Sequence, residues 1–331
     1  MTAKVVLFSR DDRTFKLFRK SWVTALVDSS IKFEVKNRGF GFINLVNGIL
    51  NFIISNKKSR FIFGTSEICL YSFFSNQYDV FIFTGIGRLL QRNGKIQSAV
   101  IFFLKLTYKN QKIIALNSQD RDFLQNIFST NVLLINGEGF YFDNKNLYCR
   151  RKNDLIRIAY VGRMLKSKGV DRLVEAFIEI AHLNCELHLL GDFDFHNSDG
   201  VSRDWLLSAQ NKAPGKIYIH GFIENPRDFL LNIDVLVSLS EREGLPFSVL
   251  EALEAGCYAL LTLVPGHLSF SQLNGVGYTS REDIENDLRK LISGATQYLN
   301  FDSQERLKIC IKDFGAQKVI SDIKTQLLSV M

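Results

Sequence analysis

Proline and cysteine are both scarce in this sequence. With four prolines and 22 glycines among 331 residues, it does not have the composition of a disordered chain. The five cysteines are scattered, at positions 69, 149, 185, 257 and 310, and no two of them form a Cys-x-x-Cys pair. Because their number is odd and the chain is long, we expect a reducing compartment and no disulfide framework. No His and Cys grouping has ligand spacing, so we expect no metal ion and no bound cofactor.

Long apolar runs are also absent. A strongly apolar run such as Ala99 to Leu104 falls far short of the roughly 20 residues that a membrane-spanning helix needs. The start of the chain, Met-Thr-Ala-Lys-Val-Val-Leu-Phe, lacks the apolar region of a signal peptide. The composition, 46% hydrophobic and 23% charged, is that of a soluble globular protein large enough for two domains. We therefore expect a cytoplasmic protein.

Charge is distributed unevenly between the two halves of the chain. Residues 1–150 contain 21 Lys and Arg against 10 Asp and Glu, a net charge of +11. Residues 151–331 contain 20 against 24, a net charge of −4. Such a difference indicates two units with different partners. The basic half favours an anionic surface, which by charge alone is phospholipid, a lipid diphosphate or nucleic acid.

Predicted strands alternate with predicted helices along the chain. In the first half the strands are 4–8, 31–35, 60–64, 79–84, 112–116 and 132–135. After a polar stretch at 148–154 the pattern restarts, with strands at 155–161, 186–190, 216–220, 234–239 and 258–263. This alternation predicts parallel crossover units and an α/β protein with domains at 1–150 and 151–331. The C-terminal helical segment, 303–330, is a candidate to pack back on the first domain.

The segment 240–256 holds the most informative pattern. It reads Ser-Glu-Arg-Glu-Gly-Leu-Pro-Phe-Ser-Val-Leu-Glu-Ala-Leu-Glu-Ala-Gly and follows the apolar run at 234–239. Pro246 suits the first turn of a helix, and Gly256 suits the position just after its end. We therefore predict a strand, a loop and a short helix in this order.

The start of that helix is a candidate ligand site. A helix N-terminus attracts anions, and Gly244 lets the backbone approach a ligand closely. Glu243 in the loop and Glu251 within the helix can face one cleft. Two glutamates at this spacing also occur by chance on ordinary helices, and the spacing alone leaves that interpretation open.

Two further loops also follow predicted strands, at 162–169 and 191–192. Ligands of open parallel sheets bind at the carboxyl ends of the strands, so we expect these loops and the 243–246 loop to converge. Arg163 and Lys168 are suited to phosphate oxygens, although solvated surface charges are the commoner fate of such residues.

Taken together, these segments resemble glycosyltransferase family 4, a family of retaining enzymes. Residues 243–256 are similar to its Glu-x7-Glu signature, and residues 161–177 to its Gly-Arg-x4-Lys-Gly segment. A looser similarity over 79–143 points to members that build surface polysaccharides on a lipid carrier. The resemblance implies the GT-B fold, in which two Rossmann-like domains face each other across a cleft. Many members carry a cleft histidine in the first domain, whereas no histidine precedes His182 here.

The resemblance also implies a role for each matched residue. Arg163 and Lys168 would hold the donor diphosphate, Glu243 would contact the transferred sugar and Glu251 the ribose, and the first three are the expected catalytic residues. The implied donor site comprises Gly162, Arg163, Lys168, Gly191, Ile219, Gly221, Phe222, Glu243, Gly244, Leu245, Pro246, Phe247, Ser248 and Glu251. The implied acceptor-side loop contains Gly85, Gly87 and Arg88. Glu241 and Glu254 are expected to be solvated charges.

The implied activity is sugar transfer, with retention, from a nucleoside-diphosphate sugar, with UDP the expected nucleotide. The acceptor would be a hydroxyl of a lipid-linked saccharide in O-antigen or capsule biosynthesis, with no metal and no nucleic acid involved. Two alternatives remain: a GT-B sugar-nucleotide epimerase or phosphorylase, and a non-catalytic module that binds a sugar nucleotide or lipid.

The basic half also contains a candidate membrane-binding helix at residues 12–27. It would combine aromatic residues with cations, namely Phe15, Phe18, Trp22, Lys16, Arg19 and Lys20. Aromatic side chains suit the headgroup level of a bilayer, and cations attract anionic lipid. A helix whose aromatic side chains pack on the sheet explains the pattern equally well. The membrane hypothesis predicts peripheral binding to the inner face of the cytoplasmic membrane.

Overall fold

The computed structural model describes residues 4–9, 21, 24–25, 32–37, 59–64, 74–75, 79–86, 94–108, 110–143, 155–194 and 197–326. The chain divides into two compact units, Met1–Tyr141 together with Ile311–Met331, and Phe142–Cys310. The predicted boundary near residue 150 lies outside the described residues. Among those residues, no helix is both long and apolar enough to cross a membrane.

The described strands are β1 Lys4–Ser9, β2 Lys32–Asn37, β3 Ser59–Gly64, β4 Val80–Phe83, β5 Lys112–Ala115, β6 Leu133–Leu134, β7 Ile156–Val161, β8 Cys185–Leu190, β9 Ile217–Gly221, β10 Val235–Ser238, β11 Tyr258–Thr262 and β12 Val276–Thr279. The described helices are α1 Lys95–Thr107, α2 Ser118–Phe128, α3 Val170–Ile180, α4 Arg203–Lys212, α5 Arg227–Leu230, α6 Phe247–Ala255, α7 Pro265–Leu268, α8 Ile284–Ser293, α9 Ala295–Tyr298, α10 Ser303–Phe314 and α11 Ala316–Gln326, with a 3₁₀ helix at Lys166–Lys168.

The sheet of the first unit has the strand order β2-β1-β3-β4-β5-β6, and its neighbouring strands are parallel. The last described helix, α11, belongs to this unit, since Ile320 and Ile323 are buried in the same apolar cluster as Phe61 of β3. The N–H of Phe140 donates to the carbonyl of Phe314 at 2.8 Å just before that helix. The segment 303–330, which we predicted as one helical stretch, is thus two helices within its described part.

The sheet of the second unit has the order β12-β11-β10-β7-β8-β9, again with parallel neighbours. Within this sheet the chain begins at the central strand β7, proceeds outward through β8 to β9, and returns to the centre at β10. The point where the order reverses, between β7 and β10, is the place where such sheets bind ligands. The predicted fold class, α/β with two parallel sheets, is confirmed.

The central strands β10 and β11 of this sheet read as apolar runs because both of their faces are covered. All four residues of β10 are buried. Ile158 of β7 and Leu187 of β8 pack with Leu173 and Phe177 of α3, and all four side chains are fully buried. This packing holds the carboxyl ends of the central strands in fixed positions.

The C-terminus of α6 is held by Arg306, which is fully buried. Its Nη2 donates to the carbonyl of Leu253 at 2.8 Å, and its Nη1 donates to the carbonyl of Cys257 at 2.9 Å. Burial lowers the pKa of Arg306 to about 10, so the side chain stays charged at neutral pH. A cation at this end complements the helix dipole and fixes α6 at the end opposite its N-terminus.

Candidate active site

The loops that follow β7 and β10 touch at the point where the strand order reverses. Gly169, with φ 75°, ends the 3₁₀ helix of the first loop. A Cβ added at Gly169 would lie 2.4 Å from Leu239 Cβ and 2.5 Å from Leu239 O. The N–H of Glu241 donates to the carbonyl of Ser167 at 2.9 Å. Only glycine at position 169 allows this close approach, which joins the two loops into one surface.

An ion pair joins these loops. Lys168 Nζ lies 2.6 Å from Glu243 Oε1, which also accepts a hydrogen bond of 2.7 Å from Ser240 Oγ. Burial would raise the pKa of Glu243, but the charge and hydrogen bond of Lys168 and the bond from Ser240 outweigh it and lower that pKa. Glu243 is therefore ionised at neutral pH. An ammonium group has three donors, so Lys168 can hold Glu243 and still bind an anion.

Helix α6 begins at Phe247, directly after Pro246. Pro246 occupies the N-cap position with an extended backbone, at φ −77° and ψ 119°, and Phe247 is the first helical residue. Proline has no side-chain acceptor, so the helix begins without the cap that Ser, Thr, Asp or Asn provides. Leu245 and Ser248 are half-buried beside it. The predicted end at Gly256 is confirmed, because Gly256 adopts the left-handed conformation there.

Arg163 is the exposed cation of the site. Its side chain is 60% exposed, and its Nη1 lies 3.4 Å from Asp194 Oδ2. The buried Tyr160 fixes the backbone of Arg163, since its hydroxyl donates to the Arg163 carbonyl at 2.6 Å. Asp192 and Asp194 form an Asp-x-Asp pair, and our expectation of no metal ion wrongly assumed that such a pair is absent. Within the described ranges, no group of three or more His, Cys, Asp or Glu residues is arranged to hold a metal ion.

Three glycines at the ends of β7, β8 and β9 lie side by side. The N–H of Gly162 donates to the carbonyl of Leu190 at 2.9 Å, and the N–H of Gly191 to the carbonyl of Gly221 at 2.7 Å. A Cβ at Gly191, with φ 149°, would lie 1.8 Å from Gly162 O. The backbone is therefore exposed where a side chain would otherwise stand. The structure thus brings together the strand-end loops that the sequence predicted to converge.

Two other predicted donor-site residues lie on or just beyond β9. Ile219 is half-buried within the strand, and Phe222 follows its last residue with 52% of its surface exposed. The open backbone at Gly221 stands between them, with no atom within 4 Å of an added Cβ. This edge can accept a flat ring against apolar side chains and the backbone.

Glu251 is held in an apolar part of α6. Burial raises the pKa of Glu251 to about 7, with the charge of Glu254 adding to the shift and that of Arg227 opposing it. Our expectation that Glu254 is a solvated charge was wrong. Only 7% of Glu254 is exposed, its Oε1 accepts the N–H of Asp143, and its Oε2 lies 3.4 Å from Arg227 Nη1.

Arg281, which sequence reasoning missed, clamps the two central loops. It follows β12, a strand that we did not predict. Its Nε donates to the carbonyl of Leu239 at 3.0 Å, and its Nη2 donates to the carbonyl of Lys166. Its Nη1 lies 2.7 Å from Glu241 Oε1, so the exposed Glu241 is paired and not merely solvated.

His267, also missed, lies fully buried beneath the Glu243 loop. Burial lowers its pKa, so the imidazole is neutral at pH 7. Its Nδ1 lies 2.9 Å from the carbonyl of Thr262 and its Nε2 lies 3.2 Å from Ser238 Oγ, which assigns the proton to Nδ1. Thr262 Oγ1 in turn donates to the carbonyl of Ser240 at 2.6 Å. This chain of hydrogen bonds ends at a residue that binds Glu243.

The predicted acceptor-side residues lie in the first unit. Gly85 follows β4 after one intervening residue, Thr84, and has φ 138°, whereas Gly87 and Arg88 lie outside the described residues. Asp120 accepts hydrogen bonds from the backbone of Ile86 and the side chain of Asn117, and its burial raises its pKa to about 6. Asp120 therefore holds the start of this loop.

The predicted membrane-binding helix at 12–27 cannot be placed in the same way. The side chains proposed for membrane contact lie outside the described residues, namely Phe15, Lys16, Phe18, Arg19, Lys20 and Trp22.

Comparisons with known sequences found similarity to glycosyltransferases. Residues 150–308 match the family model of the glycosyl transferases, group 1. The match includes every predicted donor-site residue. Over 196 residues the chain is 27% identical to the capsular polysaccharide biosynthesis glycosyltransferase CapM of Staphylococcus aureus. That alignment covers 58% of this chain and 49% of CapM, so the chain matches about half the length of this curated relative.

Solved structures share the fold along almost the whole chain. HepE of Anabaena, solved in complex with UDP, superposes with a TM-score of 0.70 at 14% identity and covers 100% of both chains. Sucrose-phosphate synthase of Thermosynechococcus elongatus superposes with a TM-score of 0.73 at 14% identity, over 99% of this chain and 100% of its own. The fold is therefore GT-B, as the resemblance implied.

Proposed function

We propose that this protein is a retaining glycosyltransferase that transfers a sugar from a UDP-sugar to a hydroxyl of a lipid-linked saccharide in surface polysaccharide biosynthesis. The observation that carries the proposal is the pairing of Lys168 with the ionised Glu243 beside the N-terminus of α6. This arrangement places a cation, a helix dipole and a carboxylate at the point where doubly wound sheets bind nucleotides. The family match over residues 150–308 and the CapM similarity support it.

The donor would lie across the carboxyl ends of the central strands. Arg163 and Lys168 would bind the diphosphate oxygens, and the backbone at the start of α6 would receive the same charge. Glu251 would accept hydrogen bonds from the ribose, and the edge between Ile219 and Phe222 would receive the base. UDP is our proposed nucleotide because HepE was solved with it.

The chemical step would break the bond between the anomeric carbon and the β-phosphate oxygen, whose electron pair leaves with the diphosphate. The acceptor oxygen would bond to that carbon on the same face and give its proton to a phosphate oxygen of the leaving group. Charge develops on the diphosphate as the bond breaks. Lys168 and Arg163 would therefore stabilise the transition state more than the ground state.

Nucleotide release without an acceptor separates this proposal from its alternatives. A glycosyltransferase should slowly hydrolyse its donor and release UDP, whereas a non-catalytic module should bind the donor and leave it intact. An epimerase should change the sugar nucleotide with no acceptor, and a phosphorylase should need inorganic phosphate. A thermal-shift screen of UDP-, GDP- and ADP-sugars identifies the donor first. If no nucleotide sugar raises the melting temperature, the proposal is wrong.

A further inference from the structure

Helix α1 is apolar on two opposite faces. Leu104 is buried, and Val100 and Ile101 pack beside it against the sheet of the first unit. The opposite side carries Phe102 and Leu106, which are 62% and 66% exposed. A contiguous patch of exposed apolar side chains typically marks a site of protein or membrane interaction. The outer side of α1 is therefore a surface that a partner would be expected to cover.

The exposed residues share one side of the helix. At 100° per residue, Phe102 and Leu106 lie within about 20° of the direction of Lys95, and Ala99 lies about 40° from it. We call this side the outer face of α1, and its exposed residues are Lys95, Ser98, Ala99, Phe102, Phe103, Lys105 and Leu106. Aromatic and aliphatic side chains lie at its centre, with lysines at its start and at one flank.

The charge of this face fits an anionic partner. The sequence of α1, Lys-Ile-Gln-Ser-Ala-Val-Ile-Phe-Phe-Leu-Lys-Leu-Thr, contains two lysines and no acidic residue. Residues 1–150, to which it belongs, carry a net charge of +11. A helix that lies in a membrane interface combines these properties, an apolar face inserted below the headgroups and cations level with them.

We propose that the outer face of α1 docks the protein peripherally onto a bilayer that contains anionic lipid. Phe102 and Leu106 would enter the acyl boundary, and Lys95 and Lys105 would contact the headgroups. The helix would lie parallel to the membrane plane, with Leu104 still facing the sheet. This surface differs from the predicted helix at 12–27, which the sequence offers as a membrane-binding candidate.

The position of α1 in the fold relates this contact to the acceptor. The helix connects β4 to β5, which are parallel neighbours, so it begins near the carboxyl end of β4. Gly85, a predicted acceptor-side residue, lies just beyond the carboxyl end of β4. A bilayer under α1 would bring a lipid-linked saccharide towards this end of the sheet. This second step rests on the proposed function, whereas the docking itself does not.

Co-sedimentation of the full chain with vesicles tests the apolar contact. Vesicles of phosphatidylcholine with phosphatidylglycerol should bind the wild type, and Phe102→Ser/Leu106→Ser should weaken binding at least about tenfold. Leu207→Ser removes an exposed leucine of α4 in the other unit and should bind normally. Unchanged binding of Phe102→Ser/Leu106→Ser, with the fold verified by its melting temperature, would overturn the proposal.

Charge reversal tests the electrostatic part. Lys95→Glu/Lys105→Glu should bind anionic vesicles several-fold more weakly, and high salt should weaken the wild type in the same way. The matched control, Lys212→Glu/Lys308→Glu, places the same charges on exposed positions of the other unit. Equal binding of neutral and anionic vesicles, or of neither, contradicts the proposal.

Size-exclusion chromatography with light scattering tests whether a second copy of the chain covers this face instead of a membrane. The proposal would be wrong if the wild type is a dimer that binds no vesicles and Phe102→Ser/Leu106→Ser is a monomer. That result would assign the face to a second copy of the chain. Donor hydrolysis without lipid should be equal in all these variants. Wild-type protein that hydrolyses its donor but binds no anionic vesicles would refute the docking and leave the proposed function intact.

Discussion

Lys168 Nζ and Glu243 Oε1 lie 2.6 Å apart, although 75 residues separate them in the chain. Each follows a different central strand of the same sheet, and the contact exists because Gly169 lets the two loops touch. The ion pair lies beside the N-terminus of α6, so one cation and one carboxylate stand where a diphosphate and its sugar would meet. The following predictions depend on this arrangement.

Replacing Glu243 should impair turnover more than donor binding. Glu243→Gln keeps the shape and removes the charge that pairs with Lys168. If its contacts to the sugar strengthen in the transition state, kcat should fall roughly tenfold to a hundredfold while the donor KM changes much less. Steady-state kinetics measure both values, with the exposed Glu282→Gln as a control. A large rise in KM at unchanged kcat would assign Glu243 to ground-state binding.

The affinity for the donor should depend on pH through Glu251. Burial raises the pKa of Glu251 from 4.5 to about 7, so without a ligand the folded protein keeps the Glu251 carboxyl protonated below pH 7. The folded state therefore loses stability as the pH rises from 4.5 through 7. Ribose hydroxyls donate better to the carboxylate, so UDP should bind more tightly above pH 7 than below it. Calorimetry should measure the UDP affinity of wild type and of Glu251→Gln across this pH range. Ionisation of UDP itself affects both proteins equally, so the difference between their pH profiles reports Glu251. Parallel pH profiles would exclude Glu251 from the ribose site.

His267 should position Glu243 and not take part in the chemistry. His267→Leu leaves the Thr262 carbonyl and the Ser238 hydroxyl without their partner, so we expect a stability loss of about 1–3 kcal/mol. kcat should fall while the donor KM stays within a few-fold. His267→Asn retains a donor near Nδ1 and should recover part of both. A purely structural role would lower stability without changing kcat of the folded enzyme.

Adding one methyl group should disturb the site without removing any functional group. A Cβ at Gly266 would lie 2.4 Å from Gly244 O and 2.8 Å from Glu243 O, so Gly266→Ala must displace this loop. kcat should fall at least about tenfold, since small displacements of catalytic groups are costly. Gly215→Ala is the control, because Gly215 has φ 70° but an added Cβ there meets nothing within 4 Å. It should lose stability and keep its kcat; similar kcat values for both variants would contradict this.

The part of the site that sequence could predict is local in the chain. Gly162, Arg163 and Lys168 share one loop, and Glu243 and Gly244 share another. Apolar strands before both loops and a helix after each identify them as strand-end loops, so the sequence could predict that they converge. The contact roles of these residues stay predictions.

The part that sequence could not predict depends on distant partners. Arg281 reaches loops that lie 40 and 115 residues earlier, and His267 is buried among hydroxyl groups of two strands. From the sequence we expected Glu254 to be solvated, because helical periodicity does not show that Arg227 lies beside it. The strand β12, Val-Gly-Tyr-Thr, contains a single aliphatic residue, so it lacks the apolar run that identifies a strand such as β10, Val-Leu-Val-Ser.

The affinity for UDP tests the central claim most directly. Calorimetry should compare wild type with Lys168→Ala and Arg163→Ala, each of which removes a charge-assisted hydrogen bond worth about 1.5–3 kcal/mol. Each variant should bind UDP roughly tenfold to a hundredfold more weakly, whereas Lys166→Ala, an exposed lysine in the same loop, should bind it normally. Equal affinities in all four proteins would show that the nucleotide does not bind at the meeting point of β7 and β10.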